Sequence, residues 1–225
     1  FIAINSNKVD SASDVAEFAR RHELPFPVLK DSRNKVADLL EATRTPEAFV
    51  IAAGGNIVYR GRIDDQFGYD FRRAQPTAND LASALDALLA SKPIPHPKTE
   101  VAGCLITRVA PPKAEATVTY TRDVALVLQK HCQECHRPGQ IGPFSLLNFE
   151  QAEGWSAMIR EVVTEQRMPP WFADAKIGHF RNDRTMPAKD RATLLAWIDQ
   201  GCPKGDDKDA PPAVSWPEGW RIGKP

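Results

Sequence analysis

The sequence predicts two domains of different class, a mixed α/β domain followed by an all-α one, joined by a proline-rich stretch. Three observations predict this. Over residues 1–92, β-rich apolar runs alternate with amphipathic helical runs. Over 93–117 the composition shifts, and Pro93, Pro95, Pro97, Pro111 and Pro112 read as a stiff, extended connection. Over 118–208 strand signals thin out and helical periodicity takes over, leaving 209–225 as an extended tail. At 225 residues the chain is long enough for two small domains.

The elements follow in order. Phe1–Asn5 is an apolar strand that ends at Asn5-Ser6-Asn7. Ser13 or Asp14 is placed to cap a helix carrying Val15, Phe18 and Ala19. Pro25–Leu29 is a short strand, and Asp31-Ser32 opens a helix with Val36, Leu39 and Leu40. Phe49-Val50-Ile51 and Ile57-Val58-Tyr59 are joined across Gly54-Gly55-Asn56, a hairpin signal. Leu81, Leu85, Leu88 and Leu89 form one face of a helix from Asn79 to about Ala90. This order argues for one mixed sheet with helices on its faces. Beyond the connection, Thr121 caps a helix with Val124, Val127 and Leu128, a second helix spans 151–165, and a third starts after Pro187 and stops at Gly201.

Composition removes some functions. Lys plus Arg and Asp plus Glu are 29 each, so the formal net charge is zero and there is no basic footprint for nucleic acid. No apolar run approaches the ~20 residues of a membrane-spanning helix, and no secretory leader is visible. A chain that opens inside a strand is expected to be part of a longer protein with further domains.

Four cysteines, Cys104, Cys132, Cys135 and Cys202, carry most of the chemical information. Two stand in Cys132-Gln133-Glu134-Cys135-His136. At the end of a helix, this spacing lets both sulfurs form thioethers to the vinyl groups of one haem, with the next histidine coordinating iron. The alternatives are a zinc site drawing on His131, His136 and His179, and a dithiol redox pair. A sixth iron ligand has three candidates. Met168 stands before Pro169 and Pro170, which restrict its loop; the rivals are His179 and Met186. Met158 reads as core, His131 as a helix-end hydrogen-bonding group, and Trp155, Trp171 and Trp197 as pocket and core aromatics.

Residues 118–208 resemble a small c-type cytochrome domain, on the strength of the Cys132–His136 motif, Met168-Pro169-Pro170-Trp171 and Leu195–Gly201. The resemblance implies one covalent haem c, with His136 and Met168 as axial ligands. It also implies a bacterial periplasmic or cell-envelope location and a redox partner protein. The segment from Phe172 to Arg184 is longer than that pattern. The first half is similar to the later part of a thioredoxin-fold domain of the redoxin or peroxiredoxin type. Phe1–Asn5 stands as its central strand, Arg44-Thr45-Pro46 as its cis-proline segment, and Phe49-Val50-Ile51 and Val58–Ile63 as the strands that follow. That family's reactive cysteine lies upstream of such a strand, and none occurs here before Cys104. Cys104 is therefore read three ways: a resolving thiol, a partner of Cys202, or a buried thiol. The domain order resembles multidomain bacterial redox proteins, and the run Trp216–Pro225 looks like one leading into a copper monooxygenase-like module in some of them. The leading function is electron transfer. The alternatives are a piece of a thiol-disulfide or peroxide reductase supplied by the cytochrome, and a zinc-bound interaction module.

Overall fold

The structure, a computed structural model, describes residues 1–69, 71–108, 110–174 and 176–216; all but the first residue of the run read as leading into a copper module lies outside them. The chain divides into two compact units, 1–106 and 107–225.

The first unit opens with β1 (Ala3–Asn5), paired parallel to β2 (Val28–Lys30) so that Ile4 faces Leu29. Between them lies α1 (Ala12–Arg21), capped one turn earlier than expected. Ser11 Oγ accepts from Asp14 N, and the Asp14 carboxylate accepts from Ser11 N, a reciprocal box that satisfies two donors. The next helix, α2 (Lys35–Leu39), starts later than Asp31. Asp31 instead reaches forward, its carboxylate accepting from Val36 N and Ala37 N at 3.0 Å. Burial opposes ionisation there, yet these amide bonds hold the carboxyl below its ordinary range. Leu39 and Leu89, expected on buried faces, are almost wholly exposed.

The expected hairpin is present as β4 (Ala48–Ile51) and β5 (Ile57–Gly61), antiparallel, with an irregularity between Val50 and Ile51. The helix α3 (Asp80–Leu89) packs Leu81, Leu85 and Leu88 against a small core of Val50, Tyr59 and Ala84. The single mixed sheet does not form among the described residues. The strands instead make three pairs, β1 with β2, β4 with β5, and β3 (Arg44–Thr45) with β6 (Cys104–Leu105).

That last pair corrects the reading of 93–117 as pure connection. Ile94 packs on the hairpin core. Thr99 is bound to Tyr59 OH through its hydroxyl (2.9 Å) and donates from its amide to Arg60 O (3.1 Å). Ile106 N donates to Thr43 O. Gly103 passes so close to β3 that a Cβ there would sit 2.2 Å from Thr45 O. The prolines make the path extended, and an extended path is what a strand edge can pair with. The last part is tied down too, within the second unit: Gln200 Oε1 accepts from Thr117 N (2.7 Å) and Val118 N (3.2 Å).

Among its described residues the second unit is built of helices and loops; taken whole, the chain is mixed α/β. A π-helical turn, Tyr120–Val124, leads into α4 (Ala125–His131). The single helix expected over 151–165 is two, α5 (Phe149–Gly154) and α6 (Ser156–Thr164), broken at Trp155. The ring of Trp155 stacks on Phe144 at 4.1 Å, a contact that a straight helix gives no sign of in sequence. The last helix, α7 (Ala188–Asp199), ends just before Gly201. Its Trp197 and Leu194 are fully buried among Tyr120, Val124, Leu128 and Val163. The Trp197 indole donates to Pro203 O at 3.1 Å.

Candidate functional site

Helix α4 stops at His131, so the Cys-x-x-Cys-His motif sits on the turn that follows it and not in the helix itself. Cys132 N still donates to Leu128 O, and His136 N donates to Cys132 O, both at 2.9 Å. The turn thus keeps helical spacing, with Cys132 and Cys135 one turn apart.

A second loop, residues 140–148, is laced beneath the motif. Gly142 N donates to Cys135 O (2.9 Å), Leu146 N to His136 O (3.0 Å), and the buried Gln133 amide to Leu146 O (2.9 Å). Gly142 has no room for a side chain: a Cβ would lie 2.6 Å from Cys135 O and 2.9 Å from His136 Nδ1. The His136 ring is thereby set against Phe144. Its Nδ1 lies 3.0 Å from Phe144 O. A carbonyl only accepts, so Nδ1 carries the proton and Nε2 keeps its lone pair. Burial lowers the imidazole pKa, partly offset by this bond, so the ring is held neutral.

The Cys132 thiol is a poor nucleophile. Burial pushes Cys132 up to about 12, and the neighbouring Cys135 adds to the effect. Dithiol exchange needs thiolate, which this upward shift at Cys132 disfavours. No disulfide joins any of the four cysteines. Among the described residues no three His, Cys, Asp or Glu side chains gather as a metal site, so the donors of a four-ligand zinc centre are not assembled. The donors present fit a c-type haem: two cysteines one turn apart, then an oriented imidazole with an available Nε2.

The sixth-ligand candidates fall in different places. Met186 is buried in the core of the second unit. His179 is exposed in the segment between α6 and α7. Met168 is partly exposed on the loop after α6, its amide donating to Val162 O. Pro169, joined to it by a cis bond, lines a cavity of about 370 Å³ together with Glu134 of the motif, Lys130, His131 and Arg184. Several of that cavity's charged groups are paired: Arg184 with Glu134 at 2.7 Å, and His131 and Lys130 with Asp190 at 2.8 and 3.3 Å. His131 is therefore a hydrogen-bonding group that ties α4 to the first turn of α7. What the sequence did not reveal is the role of Phe144, whose contribution is a main-chain oxygen, and of Gly142, whose contribution is an absent side chain.

In the first unit the Thr45–Pro46 bond is cis, as expected from the strand order. Cys104 stands directly across the β3–β6 ladder from Thr45, and Arg44 donates to Gly103 O at 2.9 Å. Cys202 is buried in the core of the second unit.

Residues 1–60 match the AhpC/TSA family. Among solved structures, an uncharacterized conserved protein from Geobacillus kaustophilus is 33% identical over 48% of this chain and 59% of its own, with a TM-score of 0.42. A hypothetical protein from Sinorhizobium meliloti is 30% identical over 49% of this chain and 62% of its own, with a TM-score of 0.44. The chain thus spans about three fifths of the length of these proteins. No curated protein matches it. Over its first sixty residues the chain is similar to the AhpC/TSA family, and those residues alternate strands and helices.

Proposed function

We propose that the second unit holds one haem c covalently and passes single electrons to a redox partner protein. The observation that carries this reading is the His136 imidazole: fixed by Phe144 O through Nδ1, its pKa lowered by burial, and leaving Nε2 available beside Cys132 and Cys135. Cys132 and Cys135 would tether the group, and His136 and Met168 would supply its iron ligands. Bound, the haem supplies a one-electron ferric/ferrous couple. The chain's own residues set its environment. The loop through Gly142 keeps the imidazole from rotating, and the thioether of Met168 favours the reduced state more than a second imidazole does. Covalent attachment of this kind places the protein in the bacterial periplasm or cell envelope. Among the described residues no helix is long and apolar enough to cross a membrane.

The test is chemical. Protein produced alongside a c-type haem maturation system is denatured in acid-acetone. Retention of the red colour on the polypeptide, with a pyridine haemochrome, is the expected result; extraction of the colour into solvent, or no haemochrome, sinks the reading. Ferric protein is further expected to show a weak sulfur-to-iron band in the far red that Met168→Ala abolishes. A bis-imidazole spectrum sensitive to His179→Ala transfers the sixth position to His179.

A second reading is favoured by the AhpC/TSA match over residues 1–60. In it the chain is part of a thiol-disulfide or peroxide reductase whose haem unit supplies electrons. Residues 1–103 contain no cysteine, so this chain brings no reactive thiol of its own to that unit before Cys104. A measured peroxide- or disulfide-reducing turnover in a longer form of the protein would decide for it.

A further inference from the structure

We propose that residues 180–185 form a latch beside the haem-tethering turn, closed by the ion pair of Arg184 with Glu134, and that its opening admits small molecules to the iron. The inference rests on the haem reading above. Glu134 lies inside the motif, between the two cysteines, and its carboxylate accepts from Arg184 Nη1 at 2.7 Å. The cavity of about 370 Å³ beside the motif is lined by Asn182, Asp183, Arg184 and Thr185, together with Glu134 and with Pro169, the residue after Met168. The latch therefore shares one space with the tethering turn and with the loop that carries the sixth-ligand candidate Met168. Glu134 holds the Arg184 guanidinium above its ordinary range, and Cys135 acts in the same direction, which sets the arginine near a tethering cysteine.

The segment is fastened for movement. Its backbone is tied to itself: Asp183 N donates to Phe180 O (3.2 Å), and Thr185 N to Asp183 Oδ1 (2.7 Å). Residues 180–185 are all exposed, whereas Met186, next in the chain, is buried in the core. The fixed end thus lies two residues from Arg184. The side chains of Arg184 and Glu134 are 46% and 28% exposed. A pair so open to solvent is screened by salt and shifts a population only about two- to fivefold. The contact of His131 with Asp190 is more deeply buried and joins α4 to α7. One side of the cavity is therefore held firmly and the other by a single weak pair.

Full-chain ferrous holoprotein is mixed with carbon monoxide, a neutral molecule whose approach the altered charges do not steer. Arg184→Gln and Glu134→Gln are each expected to speed binding about two- to fivefold. The double variant should gain nothing further, because either loss opens the same latch. The exchanged pair, Glu134→Arg with Arg184→Glu, is expected to return toward the wild-type rate. Raised salt should speed the wild type and leave Arg184→Gln unchanged. Unchanged rates in both single variants, additive gains in the double one, or a wild-type rate indifferent to salt overturn the proposal. The comparison is repeated on a Met168→Ala background, where a gain that vanishes assigns the effect to a loosened sixth ligand and overturns the gate. Tryptic cleavage after Arg181 is expected to quicken in both single variants. Cleavage at the wild-type rate overturns the latch, and quicker cleavage with unchanged carbon monoxide binding overturns its role as a gate. Failure of the haem reading itself shows separately, as a wild-type protein with no haemochrome.

Discussion

Protein in which Cys132 and Cys135 are both replaced by alanine is expected to carry no covalent haem at all. The haemochrome signal should fall to background, while either single replacement leaves one thioether and a shifted haemochrome band. The substitutions themselves are mild. Each removes one heavy atom, and Cys132 only borders the core, so the packing loss is comparable with Ile→Val, about 1 kcal/mol. Far-ultraviolet circular dichroism on the double variant should therefore retain helical signal. A double variant that still holds haem after acid-acetone treatment would defeat the assignment of the two cysteines.

The second large effect lies in the core. Trp197 has no exposed surface and is the largest fully buried side chain among the described residues. It meets Tyr120 at 6.1 Å between ring centroids and donates to Pro203 O. Trp197→Ala is expected to cost about 3–5 kcal/mol through the cavity alone. The stranded Pro203 carbonyl adds ~1–3 kcal/mol. Against a total stability of ~5–15 kcal/mol, this brings the second unit close to unfolding at room temperature. Denaturant titration of the full chain should show the midpoint of the unit's transition falling with its slope unchanged. Trp197→Phe keeps most of the ring and loses the indole donor, so a much smaller drop is expected. Equal losses in the two variants would show that the cavity is not the cause.

How far the sequence predicts this molecule depends on whether a feature is carried by side-chain identity. The Cys132–His136 motif, the Gly54-Gly55-Asn56 hairpin and the α3 face through Leu81, Leu85 and Leu88 are patterns of identity, and each was legible. The Ser11–Asp14 box is written in the sequence as a serine followed three residues later by an acid, with Ser13 and Asp14 as competing caps close behind it. The β3–β6 pair was not legible. Cys104–Leu105 is two residues long and lies among prolines, and its partner is 59 residues away in sequence, so no local period marks it. The break at Trp155 has no local sign either: the ring of Trp155 stacks on Phe144, which lies outside the helix. Leu39 and Leu89 erred in the other direction, since an apolar residue at a helix end is no guarantee of a neighbour to cover it.

The site itself divides along the same line. Its donors are written in the residue names, while its orientation is not. Phe144 steadies the imidazole with a carbonyl, an atom that all twenty amino acids possess. No point substitution at position 144 can delete that acceptor; it can only be carried elsewhere if the loop takes another route. The route is set by the Phe144 ring on Trp155 and by the bare backbone of Gly142 under His136. Sequence drift in this loop is therefore constrained at a glycine and at a stacking pair, neither of which touches a reacting atom. An alanine scan would register Gly142 and Trp155, and would score Phe144 as nothing more than an aromatic contact, because its carbonyl survives the substitution.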